Sequence, residues 1–509
     1  MYTYPDPRPN DPQERRVQRL YEMLPGFLTW GTFLGFIGLS FVIPMAVAIF
    51  VILYDIYWLL KVFYLNTFLI GAYRKMTRDV QIDWLEKARV CNGFENLYHA
   101  VIFPTYDEDK TVLETSLTSL KEANYPVEKM IVVVATEERE GEARQEKEDY
   151  LRERFEGVFH TLLITTHPAD TPGELKAKGA NTSYAAQRLQ EYLDEAGIDY
   201  RNVVASIFDS DTIAHREYLP ALAYTFLTIA KPHRQSYQPL PMYHNNIWEV
   251  PPFSRIMAVS STFWHMMESM RPDRMVTFSS HSMSFQTLVN VNFWPVNMVS
   301  DDSAIYWKCI DYYNGDYEVK PIHIPVSFDA IEAETLVKTF KNQYKQMRRW
   351  AYGIENLPLT MRSYARNSQA GRWLKFERIF NMIAGHYTWA TAPLILALVG
   401  WVPLLLGGDD FRGTVIAYNL PDYTGTMMTV AMVGLFLTAY LNGALVSPRP
   451  KKYSWRRGAF MYLQWILAPI VAIPLAAAPA IEAQTRLFFG KYLGFWVTPK
   501  GKKKEKPES

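Results

Sequence analysis

Four stretches of the 509-residue chain carry residue types and spacings that could do chemistry. Asp107, in "FPTYDED", stands just past an apolar run, where a lone aspartate reads equally well as a turn or helix N-cap. Asp209 and Asp211, in "IFDSDT", alternate with a serine at the end of another such run. Two carboxylates so spaced can both reach a hard divalent ion that also holds diphosphate oxygens; an Asx turn is the plain alternative. Asp301 and Asp302, in "MVSDDSAIYWKC", precede a helical pattern. They read either as a cap complementing the helix dipole or as a pair of which one is a general base, tuned by its neighbour and by burial. The fourth stretch, "KNQYKQMRRWAYG" from Lys341 to Gly353, sets two arginines beside a tryptophan shortly before a long apolar segment. It is either a positive-inside membrane flank or a site for phosphate and sugar. Guanidinium forks suit phosphate oxygens, and an indole face suits the C–H face of a pyranose.

The elements that must position these residues alternate in type. "NLYHAVIFPTY", "KMIVVVATEE", "HTLLITTH" and "RNVVASIFDSD" read as strands, the second as a buried, parallel-type run. "DKTVLETSLTSLKEA", a charged stretch around Glu138 to Glu156, and "NTSYAAQRLQEYLDEAG" read as helices between them, the last ended by glycine. Strand and helix in alternation predict an α/β, doubly wound sheet, in which chemistry collects at the carboxyl ends of strands. The acids sit there.

Around this middle the chain is apolar. Residues 24–72 form a run long enough for two spans joined near Pro44, since one span needs about 20 residues. Arg15, Arg16 and Arg19 precede it, and Arg74, Lys75 and Arg78 follow it, so both ends of the hairpin are expected on the cytosolic side. A second hairpin is expected from His386–Gly408 and Gly425–Val446, followed by the basic "SPRPKKYSWRR". Phe460–Ala480 is interrupted by Pro469, Pro474 and Pro479 and precedes the basic tail "KGKKKEKPES"; it reads as re-entrant or interfacial. The polar first twenty-four residues do not have the pattern of a signal peptide. A net charge of +1 argues against nucleic-acid binding. Two cysteines, Cys91 and Cys309, with no CxxC spacing, argue against a disulfide framework or structural zinc.

Taken in order, "PTYDE" (104–108), "DSD" (209–211), "SDD" (300–302) and "QMRRW" (346–350) resemble the series of the family-2 membrane glycosyltransferases of the cellulose synthase type, the processive polysaccharide synthases. "KGAN" (178–181) is similar to the family's lysine-containing segment, and "FWVTPKG" (495–501) to its FxVTxK gating loop. The resemblance spans some four hundred residues. It implies a GT-A-type nucleotide-sugar-binding domain inserted between transmembrane hairpins. The implied layout is a cytosolic segment at 1–24, a hairpin at 25–72, the glycosyltransferase domain at 73–355 and interfacial helices at 356–385. A second hairpin follows at 386–446, then a basic loop with an interfacial or re-entrant segment at 447–490, and the gating motif with its tail at 491–509.

The resemblance also assigns roles. Asp302 is the catalytic base. Asp209 and Asp211 hold Mg²⁺ or Mn²⁺. Asp107, Glu137, Lys178, Asp209 and Arg349 bind the donor, while Gln346, Trp350 and Asp301 lie at the acceptor. Phe495, Val497, Thr498 and Lys500 belong to the gating loop. Two departures stand out: "VVVATEERE" replaces the family's usual Asp-Asp-Gly, with Glu137 or Glu138 in its place, and the acid pair is Asp-Asp where Glu-Asp is common. The implied reaction moves a sugar, with inversion to a β-linkage, from a nucleotide-diphosphate sugar (UDP-linked by the family's habit) to a growing glycan. The rival within that chemistry is transfer of one sugar to a polyprenyl phosphate or other lipid. The rival outside it is a non-enzymatic transporter or scaffold, against which stand the lack of internal repeats and the single mid-span acid, Asp55. Expected partners are the donor, a glycan or lipid-linked acceptor, the bilayer and an export partner protein, with no nucleic acid. The expected location is the plasma (inner) membrane, with catalytic domain and both termini cytosolic.

Overall fold

Tyr98–Pro104 (β1) and Met130–Glu137 (β2) lie side by side and parallel, with Phe103 opposite Val134. This computed structural model describes residues 4–445 and 449–494. Every residue of β2 is buried, as a continuous β-branched run must be when both faces of a sheet are covered. The strand period of two divides its side chains between two cores. Ile131, Val133 and Ala135 pack with Leu189 and Leu193 of the helix Lys178–Ala196. Val132 and Val134 pack on the other face with Leu113 and Leu117 of the helix Lys110–Lys121.

Thr161–His167 (β3) and Val203–Ile207 (β4) extend this parallel half on either side. The second half adds Ile213–Ala214 (β5), Gln235–Tyr243 (β6), Ser282–Ser284 (β7) and Glu318–Phe328 (β8). The eight strands run in the order β3-β2-β1-β4-β7-β6-β8-β5. β7 is antiparallel to both β4 and β6, whereas β6 and β8 pair in parallel. The α/β fold expected from the sequence is therefore present, and its sheet is mixed. Strands β6 and β8 carry Pro239, Pro241, Pro321 and Pro325, and their register shifts between Gln238 and Leu240. Proline cannot donate to a ladder, so these segments lack the ordinary sequence signal of an interior strand.

Apolar helices flank the domain. Pro12–Val42 and Pro44–Asp79 are separated by Ile43, which leaves the helical region (φ −136°, ψ 57°) because the residue before a proline is pushed out of it. Together with Arg372–Leu406 and Trp455–Phe488 they are four segments long and apolar enough to cross a membrane, the signature of a membrane protein. The helix Val415–Leu445 packs along Pro44–Asp79. Trp455–Phe488 is a chain of short helical pieces, including a π-turn at Ile473–Ala477, as expected where prolines remove ladder donors.

Candidate active site

Parallel strands deliver their last residues to one edge, and β1, β2 and β4 all end there. Asp107 follows β1 in a left-handed conformation, φ 60°. It does not cap the next helix; Asp109 does, accepting the Thr111 N–H at 2.8 Å. Glu137 closes β2, buried and ion-paired with Arg139, whose guanidinium lies 4.2 Å from the centre of the Tyr106 ring. Glu140 ties the two strand ends together: its carboxylate accepts from the Glu137 N–H at 2.9 Å and the Asp107 N–H at 3.4 Å, and pairs with Lys147 at 2.5 Å. Glu137, Arg139 and His167 line a cleft of about 260 Å³. Glu138 turns away to accept the Ala169 N–H at 2.9 Å, so of the two candidate glutamates Glu137 is the one facing the cleft.

Lys178, the first residue of its helix, is the centre of the constellation. Its Nζ lies 2.7 Å from Asp209 Oδ1, and 3.1 and 3.3 Å from the two carboxylate oxygens of Asp302. Burial works to lower the pKa of this ammonium, but Asp209, Asp302 and Asp301 outweigh it and raise it. Ser279 donates to Asp209 Oδ2 at 2.7 Å, and the Asp329 N–H reaches Asp211 Oδ2 at 3.3 Å. Asp301 and Asp302 occupy the first turn of the helix Asp301–Tyr312. Asp302 is 24% exposed and turned toward Lys178; Asp301 is only 2% exposed. Burial first, and then the Asp302 charge, push the Asp301 carboxyl up to about 7, with Lys178 and Arg349 opposing.

Gly179 is required by this packing. A Cβ there would meet Asp301 Cβ and the Pro295 carbonyl oxygen, each at 2.8 Å. Gly179→Ala is expected to destabilise the protein by about 1–3 kcal/mol through overpacking, and thermal unfolding would check it. The buried acids make a second prediction. A carboxyl whose folded-state pKa is raised binds a proton that the unfolded chain has lost, so stability falls as pH rises between about 4 and 7. Asp301→Asn should therefore raise the melting temperature more at pH 8 than at pH 5, in melts run in chelator.

The helix Leu336–Ala351 brings the arginine-tryptophan cluster. Trp350 stands against Tyr243, ring centres 5.8 Å apart, and Tyr243 stacks on Phe328 at 5.3 Å. Burial raises the Tyr243 phenol, Asp209 and Asp211 add to this, and Arg349 acts against it. Arg348 points elsewhere, pairing at 2.6 Å with Glu482, which also takes Arg486 at 2.7 Å and the Tyr344 hydroxyl at 2.8 Å. Gln346, one turn before Trp350, accepts from Gln343 at 3.3 Å. His281 is buried, donates through Nδ1 to the Phe278 carbonyl at 2.8 Å, and has its pKa lowered by burial: a structural histidine. Phe495, Val497, Thr498 and Lys500 lie outside the described residues.

Among the described residues no three His, Cys, Asp or Glu side chains converge as a ready-made metal cage. The donor set still suits Mg²⁺ or Mn²⁺, which are bound by one or two carboxylates together with substrate phosphate oxygens. Asp209 and Asp211, on one strand end beside an ammonium already neutralising Asp209, are such a pair. Sequence reasoning did not single out Tyr243 or Glu355. The serine-rich stretch Phe278–Phe285 reads in the sequence as an acceptor-side loop or a plain turn; its Ser279 instead meets Asp209.

A mannosyltransferase, PcManGT of Pyrobaculum calidifontis, in complex with GDP-Man and Mn²⁺, aligns with a TM-score of 0.40 at 14% identity, covering 84% of this chain and all of that one. TarS 1–349 of S. aureus, in complex with UDP-GlcNAc, aligns with a TM-score of 0.38 at 12% identity, covering 78% and 93%. No curated protein matches by sequence. The family described as glycosyl transferase family group 2 matches residues 206–446, the segment that carries Asp209, Asp211, Asp301, Asp302, Gln346, Arg349 and Trp350.

Proposed function

We propose that the chain is an inverting, metal-dependent glycosyltransferase that moves a sugar from a nucleotide-diphosphate sugar, UDP-linked, to a growing glycan at the membrane surface. The observation that carries this reading is the bridge made by Lys178: one ammonium touches Asp209 and Asp302, so the acid assigned to the diphosphate and the acid assigned to the proton face one space. Asp302 takes the proton of an acceptor hydroxyl. That oxygen bonds to the anomeric carbon as the bond from this carbon to the diphosphate breaks, and the nucleoside diphosphate leaves. Displacement from the opposite face converts an α-linked donor into a β-linked product. Arg349 and Lys178 supply fixed positive charge where negative charge grows on the leaving group. Asp209 and Asp211 would hold Mg²⁺ or Mn²⁺, which when bound neutralises the diphosphate as a Lewis acid. Asp107 and Glu137 take the nucleoside end in the cleft beside Arg139. Trp350, Gln346 and Asp301 are assigned to the acceptor end. Thr498 and Lys500 are assigned to the diphosphate by the gating-loop resemblance of their sequence alone.

The catalytic domain and both termini are assigned to the cytosolic side of the plasma (inner) membrane. Two contacts support a re-entrant path for Trp455–Phe488. Near its start Arg457 donates to the Trp248 carbonyl and Lys452 pairs with Glu249 at 2.8 Å; near its end Glu482 pairs with Arg348. Both ends thus meet the same soluble domain, which a single crossing would not allow.

The test is nucleotide release by purified protein in detergent with Mn²⁺ or Mg²⁺, over a panel of UDP- and GDP-sugars, with glycan and polyprenyl-phosphate acceptors added separately. Release from one donor, stimulated by a glycan acceptor that lengthens, supports the reading. Stimulation by the lipid alone replaces it with single-sugar transfer. Donor binding without transfer to any acceptor overturns it.

A further inference from the structure

The loop that delivers the Asp301–Asp302 pair is held from below by a residue the proposed mechanism does not use. Ser300, the residue capping the helix Asp301–Tyr312, gives that helix no side-chain cap. Its backbone N–H donates instead to Glu355 Oε1 at 2.8 Å, its hydroxyl donates to the same oxygen at 2.7 Å, and the Val299 N–H does so at 2.9 Å. The next residue, Asn356, donates through Nδ2 to Ser300 Oγ at 3.0 Å and Ser303 Oγ at 3.1 Å. Three donors on one half-buried oxygen, with an amide completing the set, make a rigid seat. Glu355 lies in the turn Tyr352–Glu355 that directly follows the helix bearing Arg349 and Trp350. The same short segment therefore fixes the arginine-tryptophan helix on one side and the acid pair on the other.

We infer that Glu355 is a positioning residue for the transfer reaction: it sets the Val299–Ser300 backbone so that Asp302 faces Lys178 and the acceptor while Asp301 stays packed under Gly179. The inference rests on the glycosyltransferase reading for its effect on rate, but not for its effect on the loop. The carboxyl is raised to about 7 by burial, with the Ser300 and Val299 donors and Arg8 opposing, so a neutral acceptor with the same oxygen can do the same work. Glutamine has that carbonyl oxygen. Alanine does not, and it leaves two N–H groups and a hydroxyl, all partly shielded from water, without the acceptor they now share.

Hydrogen exchange and kinetics on Glu355→Gln and Glu355→Ala test this. In Glu355→Ala the Val299 and Ser300 amides are expected to exchange at least about 10-fold faster, and kcat to fall about 10- to 100-fold with donor KM changed less than about threefold, as for a misplaced catalytic group. Glu355→Gln should keep both the protection and most of the rate. Equal protection in Glu355→Ala and wild type would overturn the positioning role, whatever the activity. So would loss of kcat in Glu355→Gln with protection intact, since that points to a chemical role for the carboxylate. If Glu355→Ala fails to fold, faster exchange confined to Val299–Ser303 in Asn356→Ala is the supporting result and unchanged exchange the contrary one. A wild type that exchanges as described but transfers no sugar would remove the functional reading and leave the seat standing.

Discussion

Asp302→Asn is expected to lower kcat for nucleotide release by about 10³, within the range general-base catalysis supplies. Asparagine keeps the size and planarity of the side chain but cannot take a proton from the acceptor. The exchange should leave the fold intact, since asparagine Oδ1 can still accept from Lys178, although the ion pair is lost. The loop is held through Ser300 and Val299 by Glu355, and the backbone carbonyl of residue 302 accepts from Thr277 Oγ1 at 2.6 Å in any variant. Donor KM should move little, because Asp209, Asp211 and the cleft beside Glu137 are untouched. The control is Asp301→Asn. Both residues were candidates for the base, and only geometry separates them: Asp302 is turned to Lys178, while Asp301 is sealed against Gly179. Single-turnover rates measured for both variants decide the matter. Asp301→Asn falling further than Asp302→Asn would reverse the assignment, and equal rates in Asp302→Asn and wild type would remove the base from this pair.

What was legible in the sequence was what repeats locally. β2 could be read because a strand covered on both faces must be apolar throughout, and the helix Lys178–Ala196 because its apolar spacing ends at Gly197, whose φ of 66° suits a residue without a Cβ. The strands β6 and β8 were not read, since their prolines contradict the usual strand signal and their pairing is specified by partners distant in the chain. The site divides in the same way. Asp209 and Asp211 announce themselves by spacing, as do Arg349 and Trp350 within their motif. The partner of Arg348 is Glu482, more than a hundred positions later, and no local pattern holds that information. Glu355 was invisible for a similar reason. A single glutamate after an amphipathic helix is ordinary until its oxygen is seen to collect three donors from Val299 and Ser300.

Lys178→Met should lower kcat by about 10²–10³, the usual effect of removing one preorganised electrostatic group. Methionine approximates the length of the side chain but removes its charge, so the comparison isolates the ammonium. Lys178 lies between Asp209 and Asp302, acids from segments that would otherwise repel each other. Because those acids raise its pKa, it stays charged across the working pH range, and no change of pH should restore the variant. Losing it should also cost stability, since two partly buried carboxylates then face each other without the cation. This has a consequence that separates two roles for the lysine. If its charge and a divalent ion compensate the same acids, Mn²⁺ will raise the melting temperature of Lys178→Met by more than it raises that of wild type, while the rate defect persists. If the lysine serves only to hold the fold, Mn²⁺ will repair rate and stability together. An unchanged rate in a stable Lys178→Met protein would mean that the bridge between Asp209 and Asp302 has no part in transfer, and with it would go the observation on which the functional reading rests.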